Sequence, residues 1–349
     1  MSQTQYLFSA DYLNAVTRTL FTAVGTPSHI AEDVARIMVK SNLTGHDSHG
    51  VLRIPKYLGE IEEGKLDPAA EPTIVKEKSN LLIIDGHHGF GHYTARQAML
   101  WAIEKAKQTD ICAVSFRNLG HMGRMGEYVE LAAEAGCISL LCAGHAGGPD
   151  CTVVPYGGRR GALLPNPMTV GVPTGEGTPF VLDMATSALA EGNLQVARSQ
   201  NSTLPEGTIV NREGAPSSDV ADFYDGGYLL PFGGHKGYGL ALWMTLLGGL
   251  SGRFYIDDGF MAGEFLQVIN VESFLPLAEY QAGVRACLEQ IRAVPPAAGF
   301  DEVLIPGDRA RRTYAHRMEN GIPMPDVIWG QIQACADKLA VDLTQVNIK

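Results

Sequence analysis

No apolar run in this chain approaches the roughly 18 residues that a bilayer-crossing helix needs, so no membrane role is expected. Basic residues are outnumbered by acidic ones, 27 against 38, and the pairs Arg159-Arg160 and Arg311-Arg312 are too short to offset that balance. A general nucleic-acid or anionic-membrane surface is therefore not expected. Cysteine is scarce, six in 349 residues, with no CxxC pair and no disulfide-like spacing, which predicts reduced, mostly buried thiols in a cytoplasmic protein. The N-terminus lacks the basic and apolar regions of a signal peptide. The phosphate loop G-x-x-x-x-G-K-[ST] is absent, and the dinucleotide fingerprint is missing in its usual form. Gly89-Phe90-Gly91-His92-Tyr93-Thr94 imitates G-x-G-x-x-G, but threonine replaces the third glycine, and Asp85 to His88 separate the preceding strand from the turn. A nicotinamide cofactor would thus need another scaffold. His87, His88 and His92 have no acidic or cysteine partner at a ligand spacing, so no metal is expected.

What is present reads as a soluble enzyme: 45% hydrophobic and 19% charged residues are ordinary for a globular core of this length. Thr26-Pro27 looks like an N-cap followed by proline at the first helical position, and Ile30, Val34, Ile37 and Met38 recur at helical spacing as far as about Asn42. Gly45 can end that helix, leaving Ser48-His49 in the loop beyond. Strands are predicted over 80–85, 111–115 and 138–142 and helices over 94–107 and 126–135, the alternation of an α/β domain. From 146 to 182 short strands and tight turns follow. Helices are expected over 240–250, 280–292 and 325–340, and a strand over 265–271.

Three stretches carry candidate chemistry. In Asp47-Ser48-His49-Gly50-Val51-Leu52-Arg53-Ile54-Pro55-Lys56-Tyr57 a histidine able to move a proton near neutrality precedes by four residues an arginine whose fork fits a carboxylate. That pair suits a small acid oxidised or reduced at the neighbouring carbon; a solvated arginine beside a packed histidine is the plainer alternative. Glycines recur around His121, at 120, 123 and 126, just before a helix, where backbone can approach a phosphate. Gly233-Gly234-His235-Lys236-Gly237 puts a cation ahead of an apolar helix, where an anion is its natural partner. Asp183 closes an apolar run and reads as the start of a helix, with capping as its plainer role.

Together these segments resemble the type-2 malate/L-lactate dehydrogenase family of nicotinamide-dependent 2-hydroxy acid oxidoreductases, which also holds ureidoglycolate and sulfolactate dehydrogenases, diketogulonate reductase and cyclic imino acid reductases. DSHGVLRIPKY at 47–57, GHMG at 120–123, VPYGG at 154–158, LDMATS at 182–187, HKGYGL at 235–240, LIPGD at 304–308 and NGIP at 320–323 carry the resemblance in order along nearly the whole chain. It implies an α/β, non-Rossmann nicotinamide-binding fold, with a largely antiparallel sheet flanked by helices and a helical N/C-terminal domain. The implied division is a helical segment 1–75, carrying the histidine loop and packing with 295–349, and a cofactor-binding domain 76–294. Homodimers are implied, with no nucleic-acid partner. His49, with Ser48 beside it, would exchange the substrate proton, with His121 as a further catalytic candidate. Arg53 would grip the substrate carboxylate, and Tyr57 would line the same pocket. NAD or NADP would lie against His121, Gly123, Arg124, Met125, Asn166, Asp183, Met184, Ala185, His235, Lys236, Gly237, Gly307, Asp308, Arg309 and Arg312. Two departures bear on the substrate. Leu164-Pro165-Asn166-Pro167 stands where the family often has Gly-Thr-Asn-Pro, which removes a hydroxyl near the site. Asn193 stands where imino acid reductases carry an aspartate. The hydroxy acid reading therefore leads, ahead of an imino acid or diketo sugar acid reductase, and ahead of a catalytically silent metabolite-binding protein.

Overall fold

The two ends of the chain are laced together. In the computed structural model, which describes residues 5–346 apart from 176, 258 and the side chains of 5 and 199, strand β1 (Gln5–Phe8) pairs antiparallel with β13 (Ile322–Pro325). Helix α1 (Ala10–Ala23) starts where Ser9 Oγ accepts from the Tyr12 amide at 3.2 Å, satisfying one free N–H of the first turn. Helix α2 (Ser28–Leu43) starts one residue later than the sequence suggests. Pro27 itself takes the capping position, where its missing N–H costs nothing, and the buried Thr26 hydroxyl finds no partner among the described residues. Two single turns of 3-10 helix, over 47–49 and 51–53, lead into α3 (Ile54–Glu62). The apolar faces of α1 and α2 close over Ile54 and Tyr57 and against Trp329 and Ile332 of the last helix, α11 (Asp326–Lys338). Each side chain so buried contributes about 1.5–3 kcal/mol relative to exposure, so the N-terminal helices depend on the C-terminal one.

The main sheet runs in the order β2 (Thr73–Lys78), β3 (Leu81–Asp85), β4 (Ile111–Arg117), β12 (Phe260–Asn270), β5 (Cys137–Ala146), β6 (Pro167–Val172), β7 (Phe180–Ala185). Along it only β3 and β4 are parallel neighbours; the other pairs are antiparallel. Helix α4 (Gly91–Thr109) makes the β3–β4 crossover and α5 (Gly126–Glu134) joins β4 to β5. Both bury their inner faces on the sheet, with Met99, Ile103 and Val129 meeting Val114, Leu141 and Leu266. Strands β5 and β12 extend several residues beyond the predicted 138–142 and 265–271, because ten residue pairs of register lock them to each other.

The crossover shows what Gly89 and Gly91 pack against. A Cβ placed on Gly91 would fall 2.1 Å from Gly120 O, and one on Gly89 would fall 2.9 Å from the Ala70 Cβ. Here the glycines admit neighbouring protein segments.

A small sheet of β8 (Ile209–Val210), β9 (Pro216–Ser217) and β10 (Tyr228–Leu229) packs with α6 (Glu191–Gln200), α7 (Val220–Tyr224) and α8 (His235–Gly248) around Val153, Leu194 and Ile209. Helix α8 begins at His235, five residues before the predicted start, so Lys236 lies in its first turn. Asp183 does not start a helix: it sits inside β7, and α6 begins only at Glu191. The hairpin strand β11 (Phe254–Tyr255), the exposed α9 (Leu277–Arg292) and α10 (Asp308–Asn320) complete the chain.

Candidate active site

The histidine loop is held from below by α2 and from the side by α10. Asn42, near the C-terminus of α2 and 2% exposed, accepts from the Val51 amide at 2.9 Å and donates to Asp47 Oδ1 at 2.7 Å. A Cβ on Gly50 would lie 2.1 Å from Asn42 Oδ1, so only glycine fits beside this bridge. Arg317 of α10 grips both Asp47 oxygens, at 2.7 and 3.0 Å, and also bonds Asn42 O. On that frame Ser48 Oγ lies 2.9 Å from His49 Nδ1, which leaves His49 Nε2 for a ligand. Arg53 Nε–H donates to Ser48 O at 2.7 Å, and its two terminal nitrogens have no partner among the described residues.

His121 stacks on His49, ring centres 5.6 Å apart and planes 16° from parallel. Tyr57, expected to line the substrate pocket, is 1% exposed and lies behind His121, its hydroxyl 2.7 Å from His121 Nδ1. Beneath both is His92, which sequence reasoning weighed only as a metal ligand or part of a false fingerprint. It is fully buried, edge-on to Tyr57 at 5.4 Å and to His121 at 6.2 Å, and neither ring nitrogen has a partner among the described residues. Burial followed by the Arg53 charge pulls His49 down to about 4, and burial followed by the neighbouring histidines takes His121 well below its ordinary value. Burial then His49 lowers His92 to about 3; burial, then Arg124 and His49, lowers His46 to about 4. At neutral pH the cluster is uncharged imidazole beside a cationic arginine. Among the described residues no three His, Cys, Asp or Glu are grouped to hold a metal ion.

The segments with glycine-rich turns converge on the edge strand β7. Its Asp183 Oδ2 accepts from Gly126 N at 2.8 Å and so caps α5, a helix 57 positions away in sequence, rather than one of its own. Its end is tied to the turn before α8, where Phe232 N donates to Thr186 O at 2.9 Å. Its start is near α10: a Cβ on Gly307 would lie 3.5 Å from Val181 N. Met184 and Ala185 pair on one side only, with β6. Several candidate side chains are committed within the protein. Arg124 is 4% exposed and pairs with Glu130 at 2.6 Å, Asp308 pairs with Arg292 at 2.8 Å, and Arg312 donates to Glu302 at 2.7 Å. Asn166 accepts from His145 N and donates to Ala241 O and Thr245 Oγ1, each at 3.0 Å. His235 and Lys236 are exposed, and Lys236 has no counter-ion among the described residues. A Cβ on Gly237 would meet Phe232 O at 2.2 Å, so this glycine packs the turn. Helix α6 reaches the histidine loop, since a Cβ on Gly192 would lie 4.0 Å from Ser48 Cβ, which puts the exposed Asn193 next to that edge.

A histidine with a free Nε2 and an arginine with a free fork thus share one loop, and the glycine-rich turns converge on β7. The sequence profile of the malate/L-lactate dehydrogenase family matches residues 8–333. The chain is 33% identical to the malate dehydrogenase of Pyrococcus horikoshii, over 93% of this chain and 92% of that one. It is 34% identical to the L-lactate dehydrogenase of Cupriavidus necator, over 93% of this chain and 96% of that one. The solved sulfolactate dehydrogenase of Methanocaldococcus jannaschii superposes with a TM-score of 0.90 at 30% identity, covering 98% of this chain and 99% of that one. The chain belongs to the malate/L-lactate dehydrogenase family. It is an enzyme, an oxidoreductase of the class that interconverts 2-hydroxy and 2-keto acids.

Proposed function

We propose that His49, Ser48, Arg53 and His121 form the centre of a reversible hydride transfer between NAD or NADP and a small 2-hydroxy or 2-keto acid of the malate or lactate type. One observation carries the reading: the Arg53–Ser48 bond holds a free guanidinium fork and a free imidazole nitrogen on the same loop. The nicotinamide supplies or takes the hydride. Arg53 binds the substrate carboxylate through two parallel hydrogen bonds. His49 Nε2 gives a proton to the keto oxygen or takes it from the hydroxyl, and Ser48 fixes its ring through Nδ1. His121, oriented by Tyr57, presents a second imidazole to the same space. With its pKa held near 4, His49 is a neutral base before substrate arrives. A carboxylate on Arg53 cancels the charge that opposes protonation, so keto acid binding and proton uptake reinforce each other.

The residues around β7 fit a dinucleotide. Among the described residues Lys236, in the first turn of α8, lacks a counter-ion, and the buried Arg124 Nε and Nη1 lack hydrogen-bond partners, with Asp183 Oδ2 3.9 Å from Nε; Gly123, Gly233 and Gly234 have φ of 69°, 56° and 62°. His121 to Met125, Asn166, Asp183 to Ala185, His235 to Gly237 and the start of α10, including Arg309, are the segments that would hold it, on a scaffold other than the Rossmann βαβ unit. Asn193, next in the chain to the Gly192 that approaches Ser48, brings no carboxylate, which favours a hydroxy acid over an imino acid. Apart from Phe90 and Tyr93 in the helical core and Ile37 in the sheet core, the two apolar clusters follow a helical module, 1–75 with 295–349, and a sheet module, 76–294, which supports that division. Leu246 and Leu250, 59% and 60% exposed on and after α8, support a homodimer. Six free thiols support a cytoplasmic setting.

The test follows absorbance at 340 nm with a panel of 2-keto acids and each cofactor. His49→Ala should lower turnover by roughly 10²–10⁴-fold with cofactor affinity retained. Near-wild-type turnover in that variant removes His49 from the mechanism.

A further inference from the structure

The first turn of the histidine loop is closed only by backbone, Gly50 N–H donating to Asp47 O at 3.0 Å. His46 and Gly50, which flank its first 3-10 turn, make no side-chain cap bond. Three consecutive residues of 3-10 helix are a weak support, because their hydrogen-bond geometry is poorer than that of an α-helix. Besides Asn42, a residue 270 positions away holds the loop: Arg317 donates to Asp47 Oδ1 at 2.7 Å and Oδ2 at 3.0 Å and to Asn42 O. The arginine side chain is 14% exposed and that of Asp47 42%, and Asn42, which bonds to both, is buried. The contact is a planar fork on a carboxylate within a network that also reaches the Val51 amide through Asn42. Networked bidentate pairs of this kind fix orientation better than exposed pairs do.

Helix α10 lies along the loop in phase. Thr313 meets Gly45, whose added Cβ would lie 3.2 Å from Thr313 Cγ2, and Arg317 is four residues further on the same face. The two contacts bracket the loop from Gly45 to Asp47, directly before Ser48 and His49. We infer that Arg317 and Asp47 are positioning residues of the reaction: their bidentate pair sets the direction of His49 Nε2 and, through Ser48 O, of the Arg53 fork. This rests on the catalytic reading of His49. Neither residue touches the substrate.

The experiment compares Arg317→Ala, Asp47→Asn and the double variant with His49→Ala as the reference. A misplacement of about 1 Å remote from the chemistry is worth up to about 10²-fold in rate, so each single variant should lose roughly 10- to 100-fold in kcat. Cofactor dissociation constants should stay within about threefold, since β7, α8 and the first turn of α10 carry no substitution and Arg317 lies in the last turn of α10. The double variant should be no slower than the worse single one, because the residues act as a unit. Guanidinium ion at tens of millimolar should restore part of the kcat of Arg317→Ala, an effect that a merely destabilised fold would not give. Asp47→Asn keeps the size of the side chain and its place beside Asn42, so it reports even if Arg317→Ala folds poorly. Additive losses, no guanidinium rescue, or wild-type kcat in Asp47→Asn would overturn the inference. If His49→Ala also retains full turnover, the catalytic reading fails instead.

Discussion

Arg53 is gripped at one nitrogen and open at the other two, which is how an anchor for a ligand differs from a structural arginine. Its Nε bond to Ser48 O aims the fork, so charge alone will not replace it. Arg53→Lys keeps the charge and loses the planar pair of donors, and the KM for the 2-keto acid should rise by about tenfold or more. Equal KM values by initial-rate kinetics would show that the carboxylate is not held there. Glycine 91 makes the opposite kind of prediction. Its missing side chain is a packing requirement against the Gly120 and His121 carbonyls, both backbone and neither able to rotate aside. Gly91→Ala should cost about 1–3 kcal/mol of stability, read from the urea midpoint, and should lower turnover because the displaced segment carries His121. An unchanged midpoint would show that the turn has slack.

At the scale of elements, β7 gathers what the chain scatters. It touches the start of α5 through Asp183, the turn before α8 through Thr186 and the start of α10 through Val181. An edge strand leaves one row of backbone groups outside the sheet's own pairing, so a ligand laid along β7 would meet unpaired N–H and C=O groups beside three glycine turns. Lys236 adds the full positive charge. Lys236→Ala should weaken cofactor binding more than substrate binding, and added salt should narrow the gap between variant and wild type. Cofactor fluorescence titrations at two salt concentrations measure this; equal dissociation constants would make Lys236 an ordinary solvated lysine.

For the molecule as a whole, four neighbouring imidazoles, His92 fully buried, His46 and His49 half-buried and His121 exposed, link stability to pH. His46 and His49 are lowered to about 4, His92 to about 3, and His121 well below its ordinary value. In the unfolded chain each protonates near pH 6.5, so from there down to about pH 4 the unfolded state binds more protons than the native one. Stability is therefore full above about pH 6.5 and falls as the solution is acidified through that window. The urea midpoint should drop from pH 7 to pH 5, and His92→Gln, which cannot titrate, should drop less. An equal drop would take His92 out of the linkage.

Much of this was legible in the chain itself. Helical spacing placed α2 to within two residues of its end, the 94–107 pattern lies within α4, and the His49–Arg53 spacing marked the loop that the structure ties together. Local signals of that kind survive because propensity, caps and apolar period act over a few residues. The family resemblance also stood on motifs in sequence order. Asp183 was misread as a helix start because the partner it caps, Gly126, lies across the sheet. His92 and Arg317 gave no usable signal: one sits in the first turn of a helix, the other on a strongly charged one, and each acquires its neighbours only when distant elements pack. The early start of α8, the glycines at 89 and 91, and the burial of Tyr57 behind His121 have the same origin. Residue types and short spacings set the chemistry available to this protein. Long-range packing decided which of those groups face one another, because burial and hydrogen-bond partners are properties of neighbours that the linear chain does not specify.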